Sequence, residues 1–198
     1  MPKGEPYIPE TITVHLGRPD ADAMNVEVPF ADYIKNVASS EIYPTWPEAA
    51  LRANIYAIIT FALNRIYTEW YRSRGYPFDI TDSTQYDQKY TYGREVFENI
   101  NRLVDEQLNT YIRRQGTIEP LFAAFCNGTT VTCEGLSQWG TVGLAEQGYS
   151  PYDILTYYYG IPSTWCRMFR CKHLCSPIPV FRWHWDTVGK MFAYCKSS

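Results

Sequence analysis

The stretch from Glu48 to Arg74 constrains the fold more than any other. Leu51, Ile55, Ile58, Ile59, Ala62, Ile66 and Trp70 recur at threes and fours, the spacing of one apolar helix face. Pro47 suits the first turn, Glu48 complements the positive N-terminal end, and Gly75-Tyr76-Pro77 stops the helix. A helix this long and apolar must be covered. Candidate partners are strands at Ile12–Leu16 and Val26–Phe30, where Pro29 demands an edge or a strand end. Helices are expected at Ala31–Ser39, at Arg94–Tyr111 with Val96, Ile100, Leu103 and Val104 inside, and at Leu136–Gln147. Leu121–Cys133 reads as a hairpin turning at Asn127-Gly128. Ser150-Pro151 caps a last helix through Tyr159. Strands and helices do not alternate as βαβ, which predicts an α+β domain with a small sheet, hairpins, one long helix and several shorter ones.

The charge of the chain is uneven. Its 198 residues carry a net charge of −3, but residues 1–160 hold 12 Lys+Arg against 20 Asp+Glu, a net of −8. Residues 161–198 hold six Lys+Arg, one acid (Asp186), three Trp and four of the six cysteines (Cys166, Cys171, Cys175, Cys195). This break predicts a domain over 1–160 and an atypical Cys-rich tail over 161–198. An acidic domain argues against a nucleic-acid partner. No apolar run reaches the ~18 residues of a transmembrane segment, and Met1-Pro-Lys-Gly-Glu-Pro6 has no apolar signal core.

The sequence lacks the phosphate-binding, dinucleotide, zinc-protease and nucleophile-elbow motifs. Of three His, only His15 lies in the body, so a Ser-His-Asp triad or a His-rich zinc site is hard to build, and chemistry falls to carboxylates. Glu41 leads them. It precedes Pro44 and Pro47 and is flanked by Tyr43 and Trp46, aromatic walls that suit sugar faces. Those walls would strip water from a carboxyl and raise its pKa toward a general acid's range. The alternative is a surface or capping glutamate. Cys126 and Cys133 bracket Asn127-Gly128, and three readings stay open: a disulfide, free thiols, or half a zinc site lacking two ligands. Gly135-Leu-Ser-Gln-Trp-Gly140 is a glycine-flanked turn that places Ser137, Gln138 and the aromatic Trp139 on a ligand, or simply starts a helix.

Four segments, in order, resemble one family. They are Tyr33 to Ala53 (YIKNVASSEIYPTWPEAALRA), Gln88-Lys-Tyr90, Gly135-Leu-Ser-Gln-Trp-Gly-Thr141 and Gly148 to Gly160 (GYSPYDILTYYYG). The pattern is similar to the sporulation stage II protein D / LytB amidase-enhancer family, whose sporulation members are peptidoglycan lytic transglycosylases. The resemblance implies that Glu41 is the catalytic glutamate and that Ser137 and Gln138 belong to the turn that lines its cleft; Tyr43, Trp46 and Trp139 are the aromatic candidates for binding the glycan beside them. It implies peptidoglycan strands as substrate, no organic cofactor, and an amidase as a possible partner. Some members bind zinc through Cys and His in this region; Cys126 and Cys133 occupy suitable places, but the histidines are absent. The LytB branch implies the alternative, a non-catalytic peptidoglycan-binding or amidase-enhancing domain. The implied location is the cell wall or spore envelope, reached from mother-cell cytoplasm or forespore surface.

The tail admits a further reading. Shifting its codon frame turns His184/Trp185 into Leu, Trp185/Asp186 into Gly, Met191/Phe192 into Val, Tyr194/Cys195 into Leu and Cys195/Lys196 into Gln or a stop. That spacing resembles the opening of a small helical peptidoglycan-binding module. The tail is then a frameshifted remnant of such a module, with a genuine Cys-rich extension as the alternative.

Overall fold

A computed structural model describes residues 6–160 and, as backbone, strands at Ser163–Arg167, Arg182–Trp185 and Met191–Tyr194. β1 (Thr11–His15) lies between antiparallel β2 (Asn25–Pro29) and parallel β3 (Ile80–Thr81). Pro29 ends β2 on the sheet edge, where its missing N–H costs no ladder bond. α1 (Phe30–Glu41) follows at once, then α2 (Glu48–Tyr67), a 3₁₀ turn at Arg72–Arg74 and α3 (Glu98–Gln107). β4 (Thr110–Arg114) pairs antiparallel with β7 (Ser163–Arg167), Thr110 opposite Arg167. β5 (Phe125–Cys126) runs parallel to β6 (Leu136–Ser137), which opens directly into α4 (Gln138–Glu146). α5 (Pro151–Tyr159) completes the helices, and β8 (Arg182–Trp185) pairs antiparallel with β9 (Met191–Tyr194). The fold is α+β.

α2 is the axis of the molecule. Ala50, Leu51, Ala53–Ile55 and Ala57–Arg65 are all buried, so the helix is covered on almost every side rather than along one stripe. α1, α3 and β3 cover it on one flank, and β4, α4 and α5 on the other. Two apolar clusters follow: a large one with Phe30, Ile34, Ile58, Leu103 and Val104, and a smaller one with Ala57, Ile112, Leu136, Ile154 and Leu155. A helix with small residues on the face opposite its isoleucines can be approached closely from both directions.

Several boundaries differ from the sequence expectation. α2 stops at Tyr67, and Trp70 lies outside it, exposed, with the Arg74 guanidinium 3.7 Å over its ring. α3 is shorter at both ends: Val96 is exposed before it, and Tyr111 belongs to β4, where it and its neighbour Ile112 are both buried. The expected hairpin at Leu121–Cys133 is absent. Asn127 caps its own loop instead, its Oδ1 accepting from the N–H groups of Thr129, Thr130 and Val131 at 3.0, 3.1 and 3.0 Å. That local capping competes with a two-residue hairpin turn. The last helix starts as expected, with a reciprocal Ser150–Asp153 capping box and Pro151 in its first turn.

The Cys-rich tail, its four cysteines and the frameshift reading lie outside the residues whose side chains the structure describes.

Candidate active site

Glu41 is the last residue of α1, not part of the turn after it. A helix C-terminus disfavours an anion, and two donors answer it. The Lys89 backbone N–H donates to Oε1 at 2.8 Å and Gln138 Nε2 donates to Oε2 at 3.2 Å. The half-buried carboxylate thus sits where α1, the 88–91 segment and the start of α4 converge.

Each donor is held from behind. Gln88 is fully buried; it accepts from the Tyr33 hydroxyl at 3.1 Å and donates to the Ile58 carbonyl at 3.1 Å. Burial pushes the Tyr33 phenol well above its ordinary value, so it stays a donor. Asn36 clamps Thr91, donating to its carbonyl at 2.8 Å and accepting from its N–H at 2.9 Å. Lys89 is therefore bracketed on both sides by bonds into α1 and α2. On the other flank Gln138 is buried. The Thr141 hydroxyl donates to its carbonyl at 2.6 Å and accepts from Asn54 of α2 at 2.8 Å.

Two concavities meet at Glu41. One, of about 230 Å³, is lined by Glu41, Asp87, Phe125, Asn127, Val131 and Gln138. The other, of about 250 Å³, is lined by Ser39, Ser40, Glu41, Tyr43, Arg94 and Phe97. Asp87 is a second carboxylate in this cleft, but its oxygens are taken. Oδ1 pairs with Arg65 Nε at 2.7 Å; Oδ2 accepts from the Tyr71 hydroxyl at 2.6 Å and from Thr81 Oγ1 and N–H at 2.7 and 3.0 Å. Burial and this carboxylate drive the Tyr71 phenol upward, which keeps it protonated. Arg65 is itself enclosed by the rings of Phe61, Trp70, Tyr71 and Phe122. Asp87 is thus a buried structural anion, and Glu41 is the carboxylate with open space before it.

The remaining residues expected at the site fall into two groups. Tyr43, Trp46 and Trp139 form one aromatic cluster, with ring centroids 4.8 to 5.7 Å apart. Trp46 is buried beneath, while Tyr43 and Trp139 keep 59% and 43% of their surface exposed, faces that a flat ligand can cover. The recorded hydrogen-bond partners of Glu41 are N–H donors, however, so the carboxylate is hydrogen-bonded rather than merely walled by rings. Ser137 points elsewhere: its Oγ accepts from the Gly140 N–H at 3.0 Å as the N-cap of α4. The glycines around it follow from that. A Cβ on Gly128, which has φ +78°, would meet Ser137 Oγ at 1.8 Å, and one on Gly140 would meet the Tyr158 hydroxyl at 2.0 Å.

Cys126 and Cys133 form a disulfide across the wall of the first concavity. His15 is buried and stacked on Phe78, with its ring nitrogens 2.7 Å from Asn25 Oδ1 and 2.9 Å from the Arg18 carbonyl. Among the described residues no three His, Cys, Asp or Glu side chains group as metal ligands. With both sulfurs joined to each other, this donor set does not fit a zinc ion. Also among the described residues, no helix is long and apolar enough to cross a membrane.

Sequence reasoning missed the inner support of the site. The Lys89 donor is a backbone N–H and leaves no residue-type signal, although Gln88-Lys-Tyr90 was one of the resembling segments. Asn36 lies in the resembling Tyr33–Ala53 segment but had no role attached to it, and Asp87 and Arg94 carried no pattern.

Residues 20–113 match the family model described as SpoIID, stage II sporulation protein. This stretch, just under half of the chain, is similar to the SpoIID family, which is associated with sporulation and cell-wall lytic activity. The match contains Glu41, Tyr43, Trp46 and the 88–91 segment; Gln138 reaches Glu41 from beyond it. An uncharacterized protein of Brachyspira hyodysenteriae is 30% identical over 111 residues, covering 56% of this chain and 29% of that protein. The chain therefore aligns with less than a third of that relative's length.

Proposed function

We propose that this domain is a peptidoglycan lytic transglycosylase whose general acid and base is Glu41. The observation that carries the reading is the placement of the Glu41 carboxylate between two concavities, hydrogen-bonded to Lys89 N–H and Gln138 while Asp87 is saturated by its own donors. Hydrolytic glycosidases commonly need a second working carboxylate to activate water or to act as nucleophile. A site with one available carboxylate fits a reaction in which the substrate supplies the nucleophile.

In this mechanism the Glu41 carboxyl protonates the glycosidic oxygen between N-acetylmuramic acid and N-acetylglucosamine. The C1–O bond breaks through an oxocarbenium-like state. The muramic C6 hydroxyl attacks C1 and returns its proton to Glu41, leaving a 1,6-anhydro end. The shorter bond from Lys89 anchors Oε1, so Oε2, with the longer contact to Gln138, is the oxygen assigned to carry the proton. Tyr43 and Trp139 offer their exposed faces to sugar rings, with Trp46 supporting them. The setting is the cell wall or spore envelope, where an amidase that strips stem peptides would be a natural partner.

The test is Glu41→Gln in the full chain, incubated with peptide-free glycan strands. Loss of a general acid typically costs about 10²–10⁴-fold, so anhydro-muropeptide release should fall at least about 100-fold with circular dichroism unchanged. Unchanged product by mass spectrometry overturns the reading. Strand binding without turnover in the wild type favours a non-catalytic glycan-binding domain instead.

A further inference from the structure

A shallow groove of about 530 Å³ follows the junction of α4 and α5, lined by Gln147, Gly148, Tyr149, Asp153, Thr156 and Tyr157. It is larger than either concavity at Glu41 and falls within the ~300–1,000 Å³ typical of small-ligand sites. Its walls are fixed by local bonds. At the end of α4 the Gly148 N–H donates to the Ala145 carbonyl at 3.0 Å and the Tyr149 N–H to the Leu144 carbonyl at 3.1 Å, a reversal that needs the φ of +87° at Gly148. At the start of α5, Asp153 Oδ2 accepts from the Ser150 N–H at 3.1 Å and from its hydroxyl at 2.6 Å. The Tyr157 ring stands edge-on to Tyr158, centroids 5.0 Å apart, and the Tyr158 hydroxyl lies against Gly140, next to Trp139 of the aromatic cluster. The groove therefore shares α4 with Gln138 and Trp139, and Gln147 lies about 12 Å along that helix from Trp139.

The lining combines aromatic faces with hydrogen-bond acceptors and contains no Lys or Arg. Tyr157 is 65% exposed and Tyr149 40%. Among the described residues, Asp153 has its capping bonds on Oδ2 and leaves Oδ1 open, and Gln147 donates its Nε2 to the Gly143 carbonyl at 2.9 Å and leaves Oε1 open. The Thr156 hydroxyl oxygen is buried with no hydrogen-bond partner among the described residues. Carboxylate and amide oxygens only accept, so a ligand here must bring O–H or N–H donors. The Asp153 charge, with no cation in the lining to offset it, disfavours an anion. A flat, donor-rich, uncharged ligand is a neutral sugar ring: its C–H face covers a tyrosine and its hydroxyls donate to the acceptors around it.

We propose that the α4–α5 groove is an accessory subsite for an uncharged N-acetylglucosamine ring, holding a glycan strand at a point remote from Glu41. Of the two sugars that alternate in a peptidoglycan strand, this one lacks an acidic or peptide-bearing substituent, so it is the one the Asp153 wall admits. The inference rests on the glycan reading of the Glu41 cleft and adds a second hold on the same polymer. Two linked contacts raise the effective concentration of strand at the cleft.

The probe is chitotetraose, a neutral N-acetylglucosamine oligomer with no muramic acid, titrated into the isotope-labelled full chain and followed by backbone amide shifts. Saturable shifts are expected across residues 147–157. Tyr157→Ala should weaken that binding about tenfold, whereas Tyr157→Phe, which keeps the ring face, should stay within about twofold of wild type. Glu41→Gln should leave the groove shifts as they are. No saturable shift across 147–157, shifts confined to the residues around Glu41, or unchanged binding in Tyr157→Ala overturns the proposal. Anhydro-product formation from glycan strands is assayed separately with Glu41 intact. Groove binding without product sinks the lytic reading and leaves this one standing; product without groove binding does the reverse.

Discussion

The first concavity beside Glu41 has two unlike walls. One is α1 with the 82–91 segment, where the Gln88 and Asp87 side chains are buried, Tyr33 bonds Gln88, Arg65 and Thr81 bond Asp87, and Asn36 clamps Thr91. The other is the loop from Asn127 to Thr132, mostly exposed, held by one side-chain amide and closed by the Cys126–Cys133 disulfide. Glu41 is mounted on the first wall, at the end of α1. Under the proposed function, a carboxylate that must meet a glycosidic oxygen needs a rigid, over-determined mount, whereas a wall that only encloses a polymer can be a loop with a staple. Damage to the first wall should therefore unfold the domain, and damage to the second should mainly change how the cleft binds.

The largest effect is expected at Asp87. Asp87→Ala leaves the buried Arg65 guanidinium and the Tyr71 hydroxyl without their acceptor, and removing one partner of a buried ion pair costs about 3–5 kcal/mol. Urea unfolding should show this as a lower midpoint with little change in slope. A loss under about 1 kcal/mol would mean the first wall is not the rigid one.

Next is the staple. Cys126→Ser with Cys133→Ser opens a short closed loop, sequence separation 7, for which chain-entropy arguments give about 2–3 kcal/mol. Glycan affinity should fall along with thermal stability, while the core keeps a single cooperative transition. Equal affinity in reduced and oxidised protein would show that this loop does not form a working wall.

The smallest effect serves as a control away from both walls. Glu48 and Glu106 join Arg52 and Arg102 on the exposed seam between α2 and α3. Hydrogen bonds from Arg52 lower both glutamate pKa values. A lowered folded pKa gives stability present above the ordinary glutamate range and lost as pH falls through the lowered value. Glu48→Gln should therefore cost under about 1 kcal/mol at neutral pH. The difference from wild type should shrink below pH ~4 and in high salt. A difference that persists in acid would place the pair's contribution elsewhere.

Much of the scaffold was legible in residue order. Pro29 at an edge strand, the α2 start at Pro47-Glu48 and the Ser150-Pro151 cap are local events that involve neighbouring residues only, so they survive translation from sequence to structure. Boundaries failed where local and tertiary terms competed. Trp70 continues the helical spacing, yet the chain leaves the helix and lays Arg65 and Arg74 against that ring. Asn127-Gly128 has hairpin residue types, but Asn127 bonds its own backbone, and β5 pairs in parallel with a strand ten residues further on. At the site, Glu41 was visible through its setting of Pro, Tyr and Trp. Ser137, which shares a motif with Gln138, turned out to cap α4, because successive residues at a helix start point in different directions.

By itself the sequence determined the α+β class, a long central helix and the position of Glu41 ahead of it, because periodicity and caps depend on chain-local geometry. Tertiary structure alone decided which donors meet that carboxylate. Gln138 is 97 residues away, Lys89 is 48 away and contributes only a backbone N–H, and the saturation of Asp87 depends on Arg65, Tyr71 and Thr81 arriving together. Hydrogen bonds over such separations form only when the elements that carry them have packed around α2, and no short window of residues contains that information.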